Sequence, residues 1–138
     1  MPTEIISGLW ICDIKDAYNK EIYKDNLINI IINCTIGYEY PDIPNIKKLR
    51  IPLSDNLDPN KDIYFLKNNI DKIINFIHEK IEENNILIFC YDGISISPII
   101  IAIYMVKYGK ISLDNIREIL RSKNEKICLD LNLSLFFK

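Results

Sequence analysis

Short apolar runs alternate with longer stretches of mixed polarity along the 138 residues. Residues 27–34 and 85–90 are apolar and rich in β-branched side chains, which predicts two buried strands, the first of them central. Residues 46–53 predict another strand. Residues 4–12, interrupted at Ser7 and Gly8, predict two small strands or one bent edge strand.

The stretches between these runs have helical periodicity. One apolar stripe has spacings of four, three, four and four residues and consists of Leu66, Ile70, Ile73, Ile77 and Ile81. Asp58 as cap and Pro59 at the first helical position would begin this helix, which should end near Asn84.

Four further segments predict helices. Residues 13–24 have helical character, and residues 97–108 form a long apolar segment that Gly109 ends. Ser112 predicts the cap of a helix that runs through Arg121, and a last helix is predicted from Leu129 to the end.

Without the last helix, the order of these elements is β-α-β-β-α-β-α-α. Strands that alternate with helices predict an α/β fold with a central, largely parallel sheet flanked by helices. The length is that of one domain, which we expect to span residues 1–138. In such a fold, a ligand site lies at the carboxyl ends of the strands.

Composition excludes several classes of protein. With 49% hydrophobic and 26% charged residues and no long apolar run, the sequence is that of a soluble protein without a membrane span. The formal net charge of −2 gives no electrostatic reason to bind nucleic acid or a membrane surface. The amino-terminal residues lack the pattern of a secretory signal, so we expect a cytoplasmic or nuclear protein.

The cysteines give no metal or cofactor signal. Cys12, Cys34, Cys90 and Cys128 lie far apart, and no C-x-x-C pair occurs among them. This spacing argues against a zinc site and a disulfide framework, so three of the four are expected in the core. We predict no metal and no cofactor.

One segment has the form of an oxyanion site. A predicted strand ends at Cys90, a short loop containing Gly93 follows, and a helix begins near Ser97. Backbone N–H groups and the positive end of the helix dipole would converge there beside a thiol. The candidate loop residues are Tyr91, Asp92, Gly93, Ile94, Ser95, Ile96 and Ser97.

This segment resembles the signature of the cysteine-dependent protein phosphatases, His-Cys-x5-Arg, in the form Cys-x-x-Gly-x-Ser-Arg-Ser-Pro of the dual specificity branch. The matching residues are Cys90, Gly93, Ser95, Ser97 and Pro98. Two positions differ: Phe89 stands where the family has histidine, and Ile96 stands where it has arginine.

The resemblance covers nearly the whole chain. Residues 4–11 resemble the opening strands of the family, and residues 49–55 resemble the segment that carries its general acid. It implies that Cys90 is a vestigial nucleophile and Asp55 a vestigial general acid. Asp58 is the nearby competitor, but helix capping explains it better.

The two departures imply lost catalysis. In the family, the arginine holds phosphate with a bidentate fork that isoleucine cannot supply. Phe89 places an apolar ring next to Cys90 in the sequence, and Asp92 adds a carboxylate to the anion site, where it would repel phosphate. Whether Arg121 or Lys123 folds over the loop stays open.

Three functions remain. The leading hypothesis is a pseudophosphatase, a non-catalytic module that binds a protein partner such as a phosphoprotein or a signalling kinase or phosphatase. The second is a weakly active phosphatase that uses Cys90. The third is a structural or oligomer-forming remnant whose pocket is filled by Ile96 and Phe89. The sequence does not determine the oligomeric state, and a monomer is the default.

Overall fold

The computed structural model describes residues 2–137. The strands are β1 Thr3–Ile6, β2 Leu9–Cys12, β3 Ile30–Asn33, β4 Lys47–Arg50 and β5 Ile86–Phe89. The helices are α1 Ile14–Ala17, α2 Lys20–Asp25, α3 Asp62–Lys80, α4 Ser97–Tyr108 and α5 Ile116–Lys123, followed by a 3₁₀ turn, Leu133–Phe136.

The strands form one mixed sheet in the order β1-β2-β5-β3-β4. β1 and β2 are antiparallel, and the other three pairs are parallel. This confirms the predicted single-domain α/β fold with a central sheet flanked by helices. Cys12 on β2 and Asn33 on β3 are both in register with Phe89 on β5, so three strands end together just before the candidate loop.

Helices cover both faces of this sheet. The main core joins one face to α3, α4 and α5 and includes Ile32, Leu66, Ile88, Ile100 and Leu120. The smaller core joins the other face to α1 and α2 and includes Cys12, Ala17, Tyr23, Leu87 and Phe89. Within residues 2–137, no helix combines the length and apolar character needed to cross a membrane.

The start of α3 differs from the prediction. Asp58 does not cap the helix itself: its Oδ1 accepts hydrogen bonds from the N–H groups of Asn60 (2.8 Å) and Lys61 (3.0 Å). Asp58 therefore stabilises a turn that contains Pro59, and the helix begins after it, at Asp62. The helix also ends at Lys80 rather than near Asn84.

The segment predicted as one helix over residues 13–24 is two short helices. Asp13 caps α1, where its Oδ1 accepts from the Asp16 N–H at 2.8 Å. Asn19 interrupts the segment because its side chain accepts from the Glu21 N–H at 3.1 Å and caps α2. The prediction for α4 is confirmed: it runs over residues 97–108, and Gly109 follows it.

The carboxyl-terminal predictions were less accurate. α5 begins at Ile116, after a turn in which the Ser112 carbonyl accepts from the N–H groups of Asn115 and Ile116. The predicted helix from Leu129 is wrong apart from the 3₁₀ turn. Side chains of α5 hold this segment in another conformation: Arg117 donates to the Leu129 carbonyl and Arg121 to that of Ile127.

Candidate functional site

The predicted loop lies between the end of β5 and the start of α4. The Cys90 N–H donates to the Cys12 carbonyl at 3.3 Å, which continues the pairing of β5 with β2. At the other end of the loop, the Ser97 N–H donates to Cys90 Sγ at 3.4 Å. The thiol is thus buried against the amino terminus of α4, the arrangement that the sequence predicted.

Gly93 allows the loop to pack closely against the end of β2. Its φ is +76°, a left-handed conformation that favours glycine. A Cβ at this position would lie 2.7 Å from the Asp13 backbone nitrogen, which is too close for any side chain. Replacement of Gly93 would therefore displace either the loop or the residues that follow β2.

Asp92 folds its carboxylate back onto the loop. Oδ1 accepts from the backbone N–H groups of Ile94 and Ser95, both at 3.0 Å, and Oδ2 accepts from the Ser95 hydroxyl at 2.6 Å. The Cys90 thiol lies 3.8 Å from Oδ1 and donates to it. Partial burial opposes ionisation, but these bonds from Ser95, Ile94 and Cys90 outweigh it and lower the pKa of Asp92.

Ile96 turns into the protein interior. Its side chain is 2% exposed and belongs to the main core. It is the residue that precedes α4, and its carbonyl accepts from the Ile99 N–H at 2.9 Å. The position that holds arginine in the resembled signature therefore contributes apolar packing, and its side chain has no hydrogen-bond donor.

Phe89 lies on the other side of the sheet from the thiol. Its ring is fully buried in the smaller core, 6.4 Å from the ring of Tyr18, whereas Cys90 belongs to the main core. Successive residues of a strand point to opposite faces, which explains the separation. Phe89 therefore cannot fill a pocket beside the thiol, so the idea that Phe89 and Ile96 fill it together is wrong for Phe89.

Asp55 and the loop line the same cavity. This cavity of about 440 Å³ is lined by Asp55, Asn56, Leu57, Ser95, Ile96, Ile99, Cys128, Asp130 and Leu131. The fold thus brings the candidate acid to the loop from a segment that is distant in sequence. The lining contains two carboxylates, and within residues 2–137 it contains no lysine or arginine.

The two arginines of α5 are bound elsewhere. Arg121 donates from Nε to the Ile127 carbonyl at 3.0 Å, and Arg117 donates to the Leu129 carbonyl at 2.8 Å. Neither of them lines the cavity beside the loop, and neither does Lys123. The option that Arg121 or Lys123 covers the loop finds no support in this arrangement.

Three residues that organise the site were missed by the sequence analysis in this role. The first is Asp62, which is 1% exposed on α3 and accepts from the N–H groups of Ser54 (3.3 Å) and Asp58 (2.7 Å). It therefore holds both flanks of the segment that carries Asp55. An aspartate one turn after a predicted cap was the only sequence signal, and it does not identify partners in another segment.

The second is Tyr91, which was expected only as a member of the loop. Its hydroxyl donates to the Leu53 carbonyl at 2.7 Å and accepts from the Ile36 N–H at 3.0 Å. Its ring meets that of Tyr38 edge-on, with 6.0 Å between centroids. Tyr91 thus connects the loop to the segment after β3 and to the segment after β4.

The third is Arg50, at the end of β4. Its guanidinium donates to the carbonyls of Thr35 (2.8 Å), Ile36 (3.1 Å) and Tyr38 (2.8 Å). It also lies 5.2 Å from the centroid of the Tyr40 ring. Arg50 therefore fixes the backbone beside Tyr91, and its guanidinium is engaged by these three carbonyls.

Ser97, the first residue of α4, has a fully buried side chain. Its Oγ has no hydrogen-bond partner among the described residues, although its backbone N–H donates to Cys90 Sγ. Such orphaned buried hydroxyls are uncommon because they lose the hydrogen bonds that water provides.

Comparison with known proteins agrees with this geometry. The family model described as "Dual specificity phosphatase, catalytic domain" matches residues 9–135. Human dual specificity protein phosphatase 16 is 32% identical over 134 residues, which cover 95% of this chain and 19% of that protein. Human dual specificity protein phosphatase 6 is 27% identical over 139 residues, covering 95% of this chain and 34% of that protein. The chain thus spans about a third of the length of one relative and about a fifth of the other.

Solved structures share the fold. The crystal structure of human DUSP28 has a TM-score of 0.84 at 17% identity and covers 98% of this chain and 89% of that chain. The human tyrosine phosphatase-like serine/threonine/tyrosine-interacting protein has a TM-score of 0.78 at 15% identity, with 98% and 90% covered. At these identities, the likeness concerns the fold alone.

Proposed function

Because the chain belongs to the dual specificity phosphatase family, we propose that it is a pseudophosphatase, a module that binds a protein partner on a phosphatase scaffold. The observation that carries this proposal is the position of Ile96. Where the family signature has arginine, this chain places an apolar side chain that is buried in the main core.

The missing arginine predicts a large loss of rate. Arginine would hold the equatorial oxygens of the transferred phosphoryl group through two charge-assisted hydrogen bonds, each worth roughly 1.5–3 kcal/mol. Their loss corresponds to about 3–6 kcal/mol, or on the order of 10²–10⁴ in rate. The carboxylates Asp55, Asp92 and Asp130 beside the loop offer no compensation, since they would repel a phosphate dianion.

A turnover assay tests the proposal. We expect wild-type protein to hydrolyse a generic aryl phosphate no faster than the matched Cys90→Ser variant, because Ile96 provides no donor to the transition state. An active dual specificity phosphatase serves as the positive control in the same buffer. Robust turnover by wild type that Cys90→Ser abolishes would overturn the pseudophosphatase assignment.

The second candidate is a weakly active dual specificity phosphatase. Two observations favour it: the Ser97 N–H donates to Cys90 Sγ, and Asp55 lines the same cavity as Ser95 and Ile96. In this alternative, Cys90 is the nucleophile and Asp55 the general acid. Slow turnover that both Cys90→Ser and Asp55→Asn remove would favour this candidate.

The proposed partner is a phosphoprotein or a signalling kinase or phosphatase. The human tyrosine phosphatase-like serine/threonine/tyrosine-interacting protein, whose name describes an interaction, has the same fold. A competition assay measures this function directly. Excess wild-type chain is expected to slow the dephosphorylation of a phosphorylated kinase by an active relative. If the same excess leaves this rate unchanged, the result would count against a shared phosphoprotein partner.

A further inference from the structure

The carboxylate of Asp92 collects the hydrogen-bond donors of the loop. Two loop N–H groups, those of Ile94 and Ser95, converge on its Oδ1 at 3.0 Å, and the thiol of Cys90 lies 3.8 Å from the same oxygen. The second oxygen is held by the Ser95 hydroxyl. These donors surround one small anionic group, as they would surround one oxyanion edge of phosphate or sulfate.

We propose that Asp92 is the internal ligand of this loop and determines what the loop binds: while its carboxylate is seated, inorganic oxyanions are excluded, and without it the loop binds them. The proposal deepens the proposed function and rests on it, since it describes the same loop. Charge repulsion alone would weaken phosphate binding. Occupation of the N–H groups weakens it more, because a phosphate must first break the hydrogen bonds to Asp92.

The unpartnered hydroxyl of Ser97 is independent support. It is fully buried at the first residue of α4, and the N–H of the same residue already donates to the thiol. A carboxylate has two oxygens, and both oxygens of Asp92 are engaged by Ile94 and Ser95. Phosphate and sulfate have more oxygens than a carboxylate, so an oxyanion bound in the loop would keep acceptors for further donors at the start of α4.

Protonation is not what would release Asp92 near neutral pH. Burial raises its pKa, but the hydrogen bonds from the Ser95 hydroxyl and the loop N–H groups lower it by more, so that the carboxylate stays ionised. The titratable group in contact with Asp92 is the Cys90 thiol at 3.8 Å, and Asp55, Cys128 and Asp130 line the neighbouring cavity together with Ser95. The side chain must therefore leave as an anion, by rotation away from the loop.

Titration of inorganic phosphate into the full chain tests this proposal. Asp92→Ala is expected to bind phosphate at least about tenfold more tightly than wild type, because it frees the loop donors and removes the charge. The matched control is Asp130→Asn, which removes one charge beside the loop but frees no loop N–H group. We expect it to stay within about threefold of wild type, as a change in surface charge would.

Asp92→Asn provides a second variant in case Asp92→Ala fails to fold. It keeps the shape of the side chain and a weaker acceptor, so its phosphate affinity should exceed that of Asp130→Asn. The proposal would be overturned if Asp92→Ala and Asp92→Asn bound phosphate no more tightly than Asp130→Asn. Asp92 would then only stabilise the conformation of the loop. Turnover, measured in parallel on wild type, separates this failure from failure of the proposed function.

Discussion

Two side chains of the loop, at positions 92 and 96, set its chemistry at the scale of single residues. Ile96 withdraws into the main core and leaves the loop without a cationic fork, and Asp92 fills the place where the anion would bind. The two changes act in the same direction. One removes the attraction for phosphate, and the other occupies the donors that remain.

A repair experiment follows from these two positions. Ile96→Arg combined with Asp92→Ala should raise aryl phosphate turnover at least about tenfold over wild type, a small part of the 3–6 kcal/mol of the arginine contacts. The increase should vanish when Cys90→Ser is added. If the folded double variant neither binds phosphate nor turns over substrate, the backbone of the loop no longer has the geometry of phosphate chemistry.

We expect the repair to succeed without restoring the histidine of the family signature through Phe89→His. The ring of Phe89 lies in the smaller core, where histidine would cost roughly 2–4 kcal/mol in lost packing and unpaired polar atoms. From the sequence, the Phe89 ring was expected to lie next to the Cys90 thiol because the two residues are adjacent. The alternation of side chains along β5 places them on opposite faces of the sheet.

The candidate site could be predicted only where neighbours in sequence are also neighbours in space. Cys90, Gly93 and Ser97 follow one another along one strand, loop and helix, so their arrangement was accessible from the pattern. The contacts of Tyr91 with Ile36 and Leu53 were not, because they join segments 55 and 38 residues away. Such contacts depend on how the sheet is assembled.

At the scale of elements, α3 and the segment that carries Asp55 are joined through one buried carboxylate. Asp62→Ala would remove the acceptor for two backbone N–H groups, and we expect it to lower the free energy of unfolding by about 2–4 kcal/mol. Asp71→Ala on the same helix is the control, because its contact with Lys107 is solvent-exposed and worth about 0–1 kcal/mol.

Chemical denaturation of the two variants measures this difference. Equal losses of unfolding free energy for Asp62→Ala and Asp71→Ala would show that the buried carboxylate does not join the elements.

The boundaries of α3 depend on the same contacts. The apolar stripe of α3 could be predicted from its spacing. The first residue of the helix could not, because the turn at Asp58 and the contacts of Asp62 compete with helical capping.

At the scale of the whole molecule, the hydrogen-bonded carboxylate of Asp92 makes the stability of the fold depend on pH. The pKa of Asp92 is lower in the folded protein than in the unfolded chain, so the unfolded chain takes up the proton first as the pH falls. The contribution of Asp92 is therefore complete above about pH 4 and is lost progressively below it.

Thermal unfolding of wild type and Asp92→Asn over a range of pH tests this dependence. Wild type should have the higher Tm at neutral pH, and the gap should narrow on acidification below about pH 4. Asp58, whose pKa is also lowered by backbone hydrogen bonds, is present in both proteins and cancels in the difference. A gap that does not change with pH would contradict the assignment.

The position of Cys128 makes this chain convenient for spectroscopy. Of the four cysteines, it alone is exposed, and its backbone N–H donates to the Ile94 carbonyl of the loop at 2.9 Å. A maleimide dye would therefore attach at one native position, without engineered thiols, on a segment bonded directly to the loop. Departure of the Asp92 side chain would change the surroundings of that fluorophore, so that opening of the loop could be followed in real time on the native sequence.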